Sequence, residues 1–362
     1  MGVGNPLATA PAGGHGLGMN GSVTEARFPA GPRAPGVGWW GGSGALLAVI
    51  ALALAGCAGL FQARGAEPES DASPSPSPWP RHKLSAERWW LLNLPEGRRL
   101  DASGLLRFPD GEMWTVNDQD AAVYRLRFRE STNTLDLERI EGLLTREQSA
   151  ELNKGSRMRL DCEGLARDER GRIYLSEESR RMVLRWDPST KAVERLPIDW
   201  APVTKYFHSP DMNASFEGIA VGGDRLYVAN ERQTGRLIVV DLATLKVIDD
   251  FAVASAGSTL KDTHYTDLCW AEGALWVLLR DERKVLKVDP AKKAVVEEFD
   301  YNAMEVATPT AYGIIFAPGF MEGIAVDSEF LWLLVDNNGV GRRVKGGDAR
   351  PTLFRCRRPD LR

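Results

Sequence analysis

The sequence predicts an all-β fold, a β-propeller with four antiparallel strands per blade, and two observations carry this prediction. A stretch of 17 or 18 residues recurs five times, and each copy joins two short apolar runs across a turn rich in Gly, Asp and Glu, as in a β-hairpin. The copies are residues 101–118, 161–178, 215–231, 264–280 and 320–336. They recur every 49 to 60 residues, close to the roughly 40 to 50 residues of a propeller blade with loop insertions.

Most copies continue into further strands, which brings each unit to the four strands of a propeller blade. Third strands are predicted at 123–128, 183–187, 236–241 and 284–289, and fourth strands at 192–196, 247–251 and 295–299. Five copies predict five blades, and a sixth blade in the divergent stretches stays open. Helical periodicity is limited to a short helix predicted at 145–153 in an inter-blade loop.

Two apolar segments lie outside the repeats, at 88–94 and 352–356. Both have the composition of strands. Because an open sheet edge invites pairing with other chains, a propeller must close its ring. We expect these two segments to close it, with the propeller domain spanning 84–362 and the protein a monomer.

The N-terminal 56 residues differ from the rest, being rich in Gly, Ala and Pro. Within them, an apolar run of 11 residues at 45–55 is too short to span a bilayer, which needs about 20. A short apolar run after basic residues and before small ones is typical of a secretory signal. We therefore expect a signal peptide at 1–56, whose true start is either Met1 or Met19.

The tetrapeptide LAGC at 54–57 resembles a bacterial lipobox, in which Cys57 becomes the lipidated first residue of the mature protein. The following segment, 57–83, contains an SPSPSP run and is predicted to be an extended tether. The resemblance implies an anchor in the outer membrane, with the folded part in the periplasm. Among Cys162, Cys269 and Cys356, at most one disulfide can form, and buried free thiols are the alternative.

The formal net charge of -4 and the lack of a basic face argue against a nucleic-acid partner. The fingerprints of serine hydrolases, zinc proteases, P-loop enzymes and dinucleotide-binding proteins are all absent from the sequence. Any chemistry must therefore come from the repeats themselves.

In a propeller the first strand of each blade lines the central channel, and alternate side chains face the axis. We align the five copies on one shared position, the anchor, which is Gly104, Gly164, Gly218, Asp267 or Gly323. In this alignment three repeat positions bring up to nine carboxylates to one axis. The preceding position holds Ser103, Glu163, Glu217, Thr266 and Glu322. Two residues earlier stand Asp101, Asp161, Ser215, His264 and Phe320. The second strand ends on Asp118, Glu178, Glu231, Arg280 and Asp336.

Carboxylates this close must protonate, pair with cations or bind a metal ion. Calcium accepts 6 to 8 oxygen ligands in irregular geometry and is the expected ion, with magnesium second. The predicted ligands are Glu163, Glu217, Glu322, Asp118, Glu178, Glu231 and Asp336. The alternative is that Glu-Gly is a blade-building device whose carboxylate accepts backbone N–H bonds from the adjacent blade.

Blades 1 and 4 break the Glu pattern with Ser103 and Thr266. Blade 4 also carries His264, which we predict as a general base, with the ring carboxylate Asp161 as the other catalytic candidate. Arg280 and Arg232 beside the ring are predicted to bind an anionic substrate. A polar residue that merely starts a strand is the alternative for His264.

The order of motifs resembles the propeller family described as esterase-like activity of phytase. The motifs are CEGLA with LSEE, NASFEGIA with ANE, TDL, and MEGIA with VDNN. The resemblance covers 84–362, and the SdiA-regulated family of bacterial envelope propellers, which has a similar order of motifs, is the second choice. It implies a secreted or lipid-anchored propeller with ester or phosphoester hydrolysis, and it carries over the motif acids Glu163, Glu178, Glu217, Glu231, Glu322 and Asp336, but no catalytic residue.

Two functions follow. The first is a calcium-dependent hydrolase that acts on a small anionic ester or phosphoester in the channel. The second is a non-catalytic binding or scaffold propeller of the cell envelope with a structural calcium site.

Overall fold

The computed structural model describes residues 78–94, 97–129, 131–156, 159–207, 214–232, 235–261, 263–313 and 319–359. The predicted signal peptide, Cys57 and most of the tether lie outside these residues. Within the described part of the chain, no helix is both long and apolar enough to cross a bilayer.

The chain forms twenty-one described strands, of which twenty make up five four-stranded blades. It starts with β1 (Arg81–Lys83) and β2 (Ala86–Leu92). Blade 1 is β3 (Ala102–Arg107), β4 (Met113–Asn117), β5 (Ala122–Arg129) and β6 (Thr134–Arg139). Blade 2 is β7 (Cys162–Arg167), β8 (Ile173–Glu177), β9 (Met182–Asp187) and β10 (Ala192–Arg195).

The chain then continues around the ring in the same direction. Blade 3 is β11 (Phe216–Gly222), β12 (Arg225–Asn230), β13 (Arg236–Asp241) and β14 (Lys246–Phe251). Blade 4 is β15 (Tyr265–Ala271), β16 (Ala274–Leu279), β17 (Lys284–Asp289) and β18 (Ala294–Asp300), with β1 added in parallel at its outer edge. Blade 5 is β19 (Met321–Val326), β20 (Phe330–Val335) and β21 (Thr352–Arg357), completed by β2.

The ring closes through β2 and β21, as the two segments outside the repeats predict. The C-terminal β21 pairs with β20 on one side and with the N-terminal β2 on the other, so both ends of the propeller share blade 5. β2 also pairs in parallel with β6 of blade 1 through Leu91 and Leu92. The N-terminal strand therefore joins the first blade to the last.

Packing in the described part of the chain agrees with five blades. Each inner strand packs against the next, from β3 through β7, β11, β15 and β19 back to β3. Five hydrophobic clusters fill the five interfaces between neighbouring blades. The cluster between blades 5 and 1, for example, centres on Trp90 of β2, which is 1% exposed and stacks on Trp332. The all-β propeller prediction is confirmed, with five blades.

The segments between blades contain the helices. The predicted short helix is present as α1 (Arg146–Leu152), which Thr145 and Gln148 cap reciprocally at its N-terminus. A 3-10 helix, Ala201–Tyr206, and the four-residue α2 (Asn302–Glu305) lie in other inter-blade segments. The fourth strand of blade 1, β6, was not predicted. Cys162, Cys269 and Cys356 carry free thiols.

Candidate functional site: an acidic channel mouth

Every inner strand carries a β-bulge beside the anchor. In blades 2 to 5 the strand register shifts across Glu163, Glu217, Thr266 and Glu322, and in blade 1 it shifts across the anchor Gly104 itself. A bulge adds a residue that the partner strand does not match, and it re-aims the side chain there. Glu163, Glu217 and Glu322 thus line the channel at one end, which we call the acidic mouth.

Close approach of the inner strands narrows the channel at the anchors. A side chain at Gly104 would place its Cβ 2.9 Å from the Glu163 carbonyl oxygen, and one at Gly164 would lie 2.9 Å from the Glu217 carbonyl oxygen. Only glycine fits at these contacts, which explains why the anchor position is Gly in four of five blades. The inner strands thereby separate the acidic mouth from the opposite end of the channel.

Asp267, the exception among the anchors, is fully buried at this waist. Its Oδ2 accepts the backbone N–H of Ile324 in blade 5 at 2.8 Å and that of Leu105 in blade 1 at 3.2 Å. Burial raises the pKa of Asp267 well above its usual range, against the opposing effect of its backbone hydrogen bonds. The blade-building device considered for the Glu-Gly motif therefore occurs, but at Asp267.

The acidic mouth is a cavity of about 240 Å³. Seven carboxylates line it: Asp118, Glu163, Glu178, Glu217, Glu231, Glu322 and Asp336. These are all seven predicted metal ligands. Arg232 and Arg280, the predicted substrate-binding residues, also line it, together with Ser103 and Asn338. The other two predicted residues, Asp161 and His264, lie beside the lining and contact it through Glu163 and Glu231 respectively.

The carboxylates form two groups, each with oxygens within 4.8 Å of one another. One group is Asp118, Asp161 and Glu163, and the other is Glu178, Glu217 and Glu231. Like charges at this separation repel strongly where water is partly excluded.

The pKa values express this repulsion. Burial, together with Asp101 and Asp161, raises the pKa of Asp118 to about 7. Burial, together with Asp161 and Glu231, raises the pKa of Glu178 to about 8. Burial and neighbouring carboxylates also raise the pKa of Glu163 and Glu217 well above the usual range. A bound positive charge would offset the free-energy cost of ionising these carboxyl groups.

Arg280 supplies part of that charge from blade 4. Its guanidinium pairs with Glu322 and lies 3.0 Å from His264 Nε2 and 3.7 Å from Glu231. Burial raises the pKa of Glu322, while Arg280 opposes the shift. Glu322 is therefore neutralised directly by Arg280, as Glu231 is by Arg232 and His264.

His264 is buried between two carboxylates. Its Nε2 contacts Glu231, and its Nδ1 lies 3.1 Å from Asp281. Burial lowers the pKa of His264, but the hydrogen bonds to Asp281 and Glu231 outweigh it, and the pKa is raised. Both ring nitrogens are thus engaged. In this arrangement the imidazole orients Glu231, and it could act as a base only after a contact breaks.

Glu231 offers an unused acceptor. Its Oε1 contacts His264 and Arg232, whereas its Oε2 is buried without a hydrogen-bond partner among the described residues. The side chain is 2% exposed. A buried carboxylate oxygen with no donor is costly. This orphaned oxygen, in a group of three carboxylates, fits an oxygen-liganded cation.

Comparison with known proteins identifies the family. A family model described as "Phytase-like: Esterase-like activity of phytase" matches residues 101–339, about two thirds of the chain. The chain belongs to this family. This is the first of the two families that the motif order resembles. A search of curated proteins finds no match for this phytase-like chain.

One solved structure supports the propeller fold of this phytase-like chain, and others align less closely. Myxococcus xanthus glutaminyl cyclase aligns with a TM-score of 0.51 at 16% identity, over 77% of this chain and 97% of that one. Aldose sugar dehydrogenase from Streptomyces coelicolor, in its PQQ-bound form, aligns at 0.41 and 14% identity, over 75% and 98% of the two chains. A gluconolactonase from Xanthomonas campestris aligns at 0.39 and 13% identity, over 70% and 72%. At these identities the likeness concerns the fold alone.

Sequence reasoning missed several residues that this phytase-like mouth uses. Asp281 holds His264, and Gln119 donates to both Asp101 and Asp118 at 2.6 and 3.0 Å. Arg99 pairs with Asp101 at 2.6 Å. All three lie one or two residues outside the repeated motif. In the sequence each of them lies close to a predicted acid, and this proximity could have indicated it. Alignment of the repeats alone does not identify these residues.

Proposed function

We propose that the acidic mouth binds a divalent cation, Ca²⁺ in the first place, and hydrolyses a small anionic ester or phosphoester. The observation that carries this is the buried, unpartnered Oε2 of Glu231 within the group formed with Glu178 and Glu217. Seven lining carboxylates face only two lining arginines, so the mouth lacks positive charge. A cation with several oxygen ligands would supply it.

The group of Glu178, Glu217 and Glu231 is the best place for the ion. Glu322, which the repeat pattern also suggests as a ligand, pairs with Arg280 and belongs to neither group of close carboxylates. Calcium suits three acids on three different strand ends, because it tolerates irregular coordination. Magnesium demands near-ideal octahedral geometry and is the second choice. A cation bound there would polarise a substrate oxygen and lower the pKa of a bound water.

The second group supplies the base. Asp118, Asp161 and Glu163 lie beside the first group on blades 1 and 2. The pKa of Asp118 is about 7, which suits proton transfer near neutral pH. Asp161, whose pKa burial also raises, is its immediate neighbour and accepts from Ser179 at 3.3 Å. We assign the base to this pair, with His264 holding Glu231 in place.

The arginines orient the substrate. Arg232 and Arg280 line the mouth after the second strands of blades 3 and 4, whereas the base group belongs to blades 1 and 2. Guanidinium groups form charge-assisted, bidentate hydrogen bonds to carboxylates and phosphates. An anionic substrate would therefore place its charged group toward blade 4 and its scissile bond toward blades 1 and 2.

The test is hydrolysis of p-nitrophenyl phosphate and p-nitrophenyl acetate by the purified protein, with calcium and after EDTA. We expect EDTA to abolish turnover, calcium to restore it, and Glu217→Gln to lower kcat/KM at least about a hundredfold. Glu141→Gln, at an exposed acid outside the mouth, is the matched control. Turnover unchanged by EDTA and by Glu217→Gln rules out the metal-dependent enzyme.

The second candidate is a non-catalytic envelope propeller with a structural calcium site. The engagement of both His264 nitrogens favours it, because the imidazole then has no free nitrogen for catalysis. Calcium-induced stabilisation without turnover on either ester is the outcome that selects this function.

For localisation we propose a lipid anchor at Cys57 that holds the propeller at the periplasmic face of the outer membrane. The support is the sequence alone, the LAGC tetrapeptide after an apolar run. In a bacterial host, Cys57→Ser should move the protein from the membrane fraction to the soluble envelope fraction. Equal membrane retention of both forms contradicts the anchor.

A further inference from the structure

The opposite end of the channel holds a second cavity, which we call the distal mouth. It has a volume of about 360 Å³, within the range of small-molecule pockets. The inner strands reach it after passing the waist at Gly104, Gly164 and Asp267, so it is separate from the acidic mouth.

The repeat explains the lining of the distal mouth. The residue three positions after each anchor faces it from all five blades: Arg107, Arg167, Val221, Trp270 and Val326. A purely structural position would carry similar residues in every blade. Here two arginines stand on neighbouring blades 1 and 2, and a tryptophan stands on blade 4. The floor between them is apolar, with Leu105, Leu165 and Leu268.

Trp270 is held flat at one side of the cavity. Its ring stacks on Tyr227 with centroids 5.5 Å apart and an interplanar angle of 9°. Gly222 lies against the indole, where any Cβ would overlap the ring. A fixed aromatic face of this kind is a good partner for an apolar ligand.

Arg167 offers the charge. In the described part of the chain it has no ion pair, and its guanidinium lies 5.6 Å from the centre of the Phe108 ring. Two of the three acids in the lining have other partners, and the third, Glu169, is exposed to solvent. Asp168 is bound by Arg172 at 2.6 Å and by Tyr174 at 3.1 Å. Asp327 accepts from Trp332 at 2.9 Å and pairs with Arg107 at 3.1 Å. Arg167 is thus the cation left available to a ligand.

We propose that the distal mouth binds a small amphiphilic carboxylate. Its apolar body packs on the leucine floor and on Trp270, and its carboxylate pairs with Arg167. Burial of the apolar body supplies most of the affinity, and the guanidinium selects the anionic end through charge-assisted hydrogen bonds.

The test uses isothermal titration of the full protein with octanoate and with octanol, both in EDTA so that no cation at the acidic mouth can bind the carboxylate. We expect saturable 1:1 binding of octanoate. Arg167→Gln should weaken octanoate about tenfold or more and leave octanol unchanged. Arg170→Gln, an exposed arginine in the adjacent turn, is the matched control and should change neither.

A cavity-filling variant, Val221→Phe, provides an independent test and should weaken both probes. Unchanged thermal unfolding of the two arginine variants verifies that they are folded. The proposal is overturned if octanoate does not saturate, if Arg167→Gln and Arg170→Gln weaken it equally, or if Val221→Phe leaves both probes bound as before.

Discussion

Asp267 Oδ2, on the inner strand of blade 4, accepts the backbone N–H of Ile324 in blade 5 at 2.8 Å. The same oxygen accepts the N–H of Leu105 in blade 1, so one carboxylate ties three blades together at the axis. The other oxygen accepts the N–H of Leu268 at 2.8 Å. A single side chain thus satisfies three buried donors at the narrowest point of the ring.

Replacing Asp267 should destabilise the propeller. Asp267→Asn keeps the size but turns an amide NH₂ toward backbone N–H groups, and it leaves at least one buried donor unsatisfied. We expect a loss of about 2–3 kcal/mol in the free energy of unfolding, measured by urea denaturation. Asp224→Asn, at an acid with 72% exposed side chain, should change it by less than about 0.5 kcal/mol. Equal stability of the two variants would contradict this role.

Stability without metal should depend on pH through the ring carboxyls. The pKa of Glu178 is about 8 in the folded protein and about 4.3 in an unfolded chain. Between these values the folded state binds more protons, so the free energy of unfolding falls as pH rises from about 4.5 to about 8. Each such carboxyl contributes at most about 1.4 kcal/mol per pH unit. Urea unfolding in EDTA measures this slope, and Glu178→Gln should reduce it.

Bound calcium should reverse this decrease of stability with rising pH. A cation binds ionised carboxylates, so at pH 5.5 it must displace protons that are already partly lost at pH 8, near the pKa of Glu178. We expect calcium to raise Tm by several degrees at pH 8 and much less at pH 5.5. Differential scanning calorimetry at both pH values tests this. A calcium shift of equal size at the two pH values would show that the cation binds elsewhere than the ring.

His264 should act mainly as a positioning residue. His264→Gln removes a buried partner from Glu231 and leaves that carboxylate with less compensation, which should cost about 3 kcal/mol of stability. It should also weaken calcium binding, because Glu231 is no longer oriented. Calorimetric titration with calcium and thermal unfolding give the two readouts. If His264→Gln leaves stability and calcium affinity unchanged but strongly lowers turnover and removes its decrease at acid pH, His264 is a general base instead.

The sequence predicted the fold well because a propeller repeats itself. Five copies of one hairpin motif established the inner strands, and the two apolar segments outside the repeats predicted how the ring closes. The fourth strand of blade 1 was missed although Leu135 and Leu137 alternate with Asp136 and Glu138 along Thr134–Arg139, as in a half-buried strand. In the structure it pairs with β5 along its whole length and with β2 at its start.

The candidate site was predictable only as far as the repeat reaches. Alignment placed up to nine acids and Arg280 around one axis, and the structure brings seven of these acids, with Arg280 and Arg232, into one cavity. It could not indicate that Glu322 pairs with Arg280 or that Asp281 captures His264, since these contacts join different blades or follow the motif. Alignment also could not indicate the role of Asp267. It shows that Asp267 replaces the glycine of the other blades, but the hydrogen bonds of Asp267 across the axis depend on the bulges.

Closure by the N-terminal strand can be tested by two nested truncations. A chain starting at Leu84 loses only β1, an extra strand at the edge of blade 4, and should keep a cooperative unfolding transition. A chain starting at Asn93 also loses β2, and with it Trp90 and the link between blades 5 and 1. Burial of a large aromatic side chain alone is worth about 3–5 kcal/mol, so this chain should lose its cooperative transition and near-ultraviolet circular dichroism. A synthetic peptide covering residues 84–94 should restore both, and a scrambled peptide should not. A cooperative transition in the shorter chain without peptide would mean that blade 5 is stable with three strands and that β2 does not close the ring.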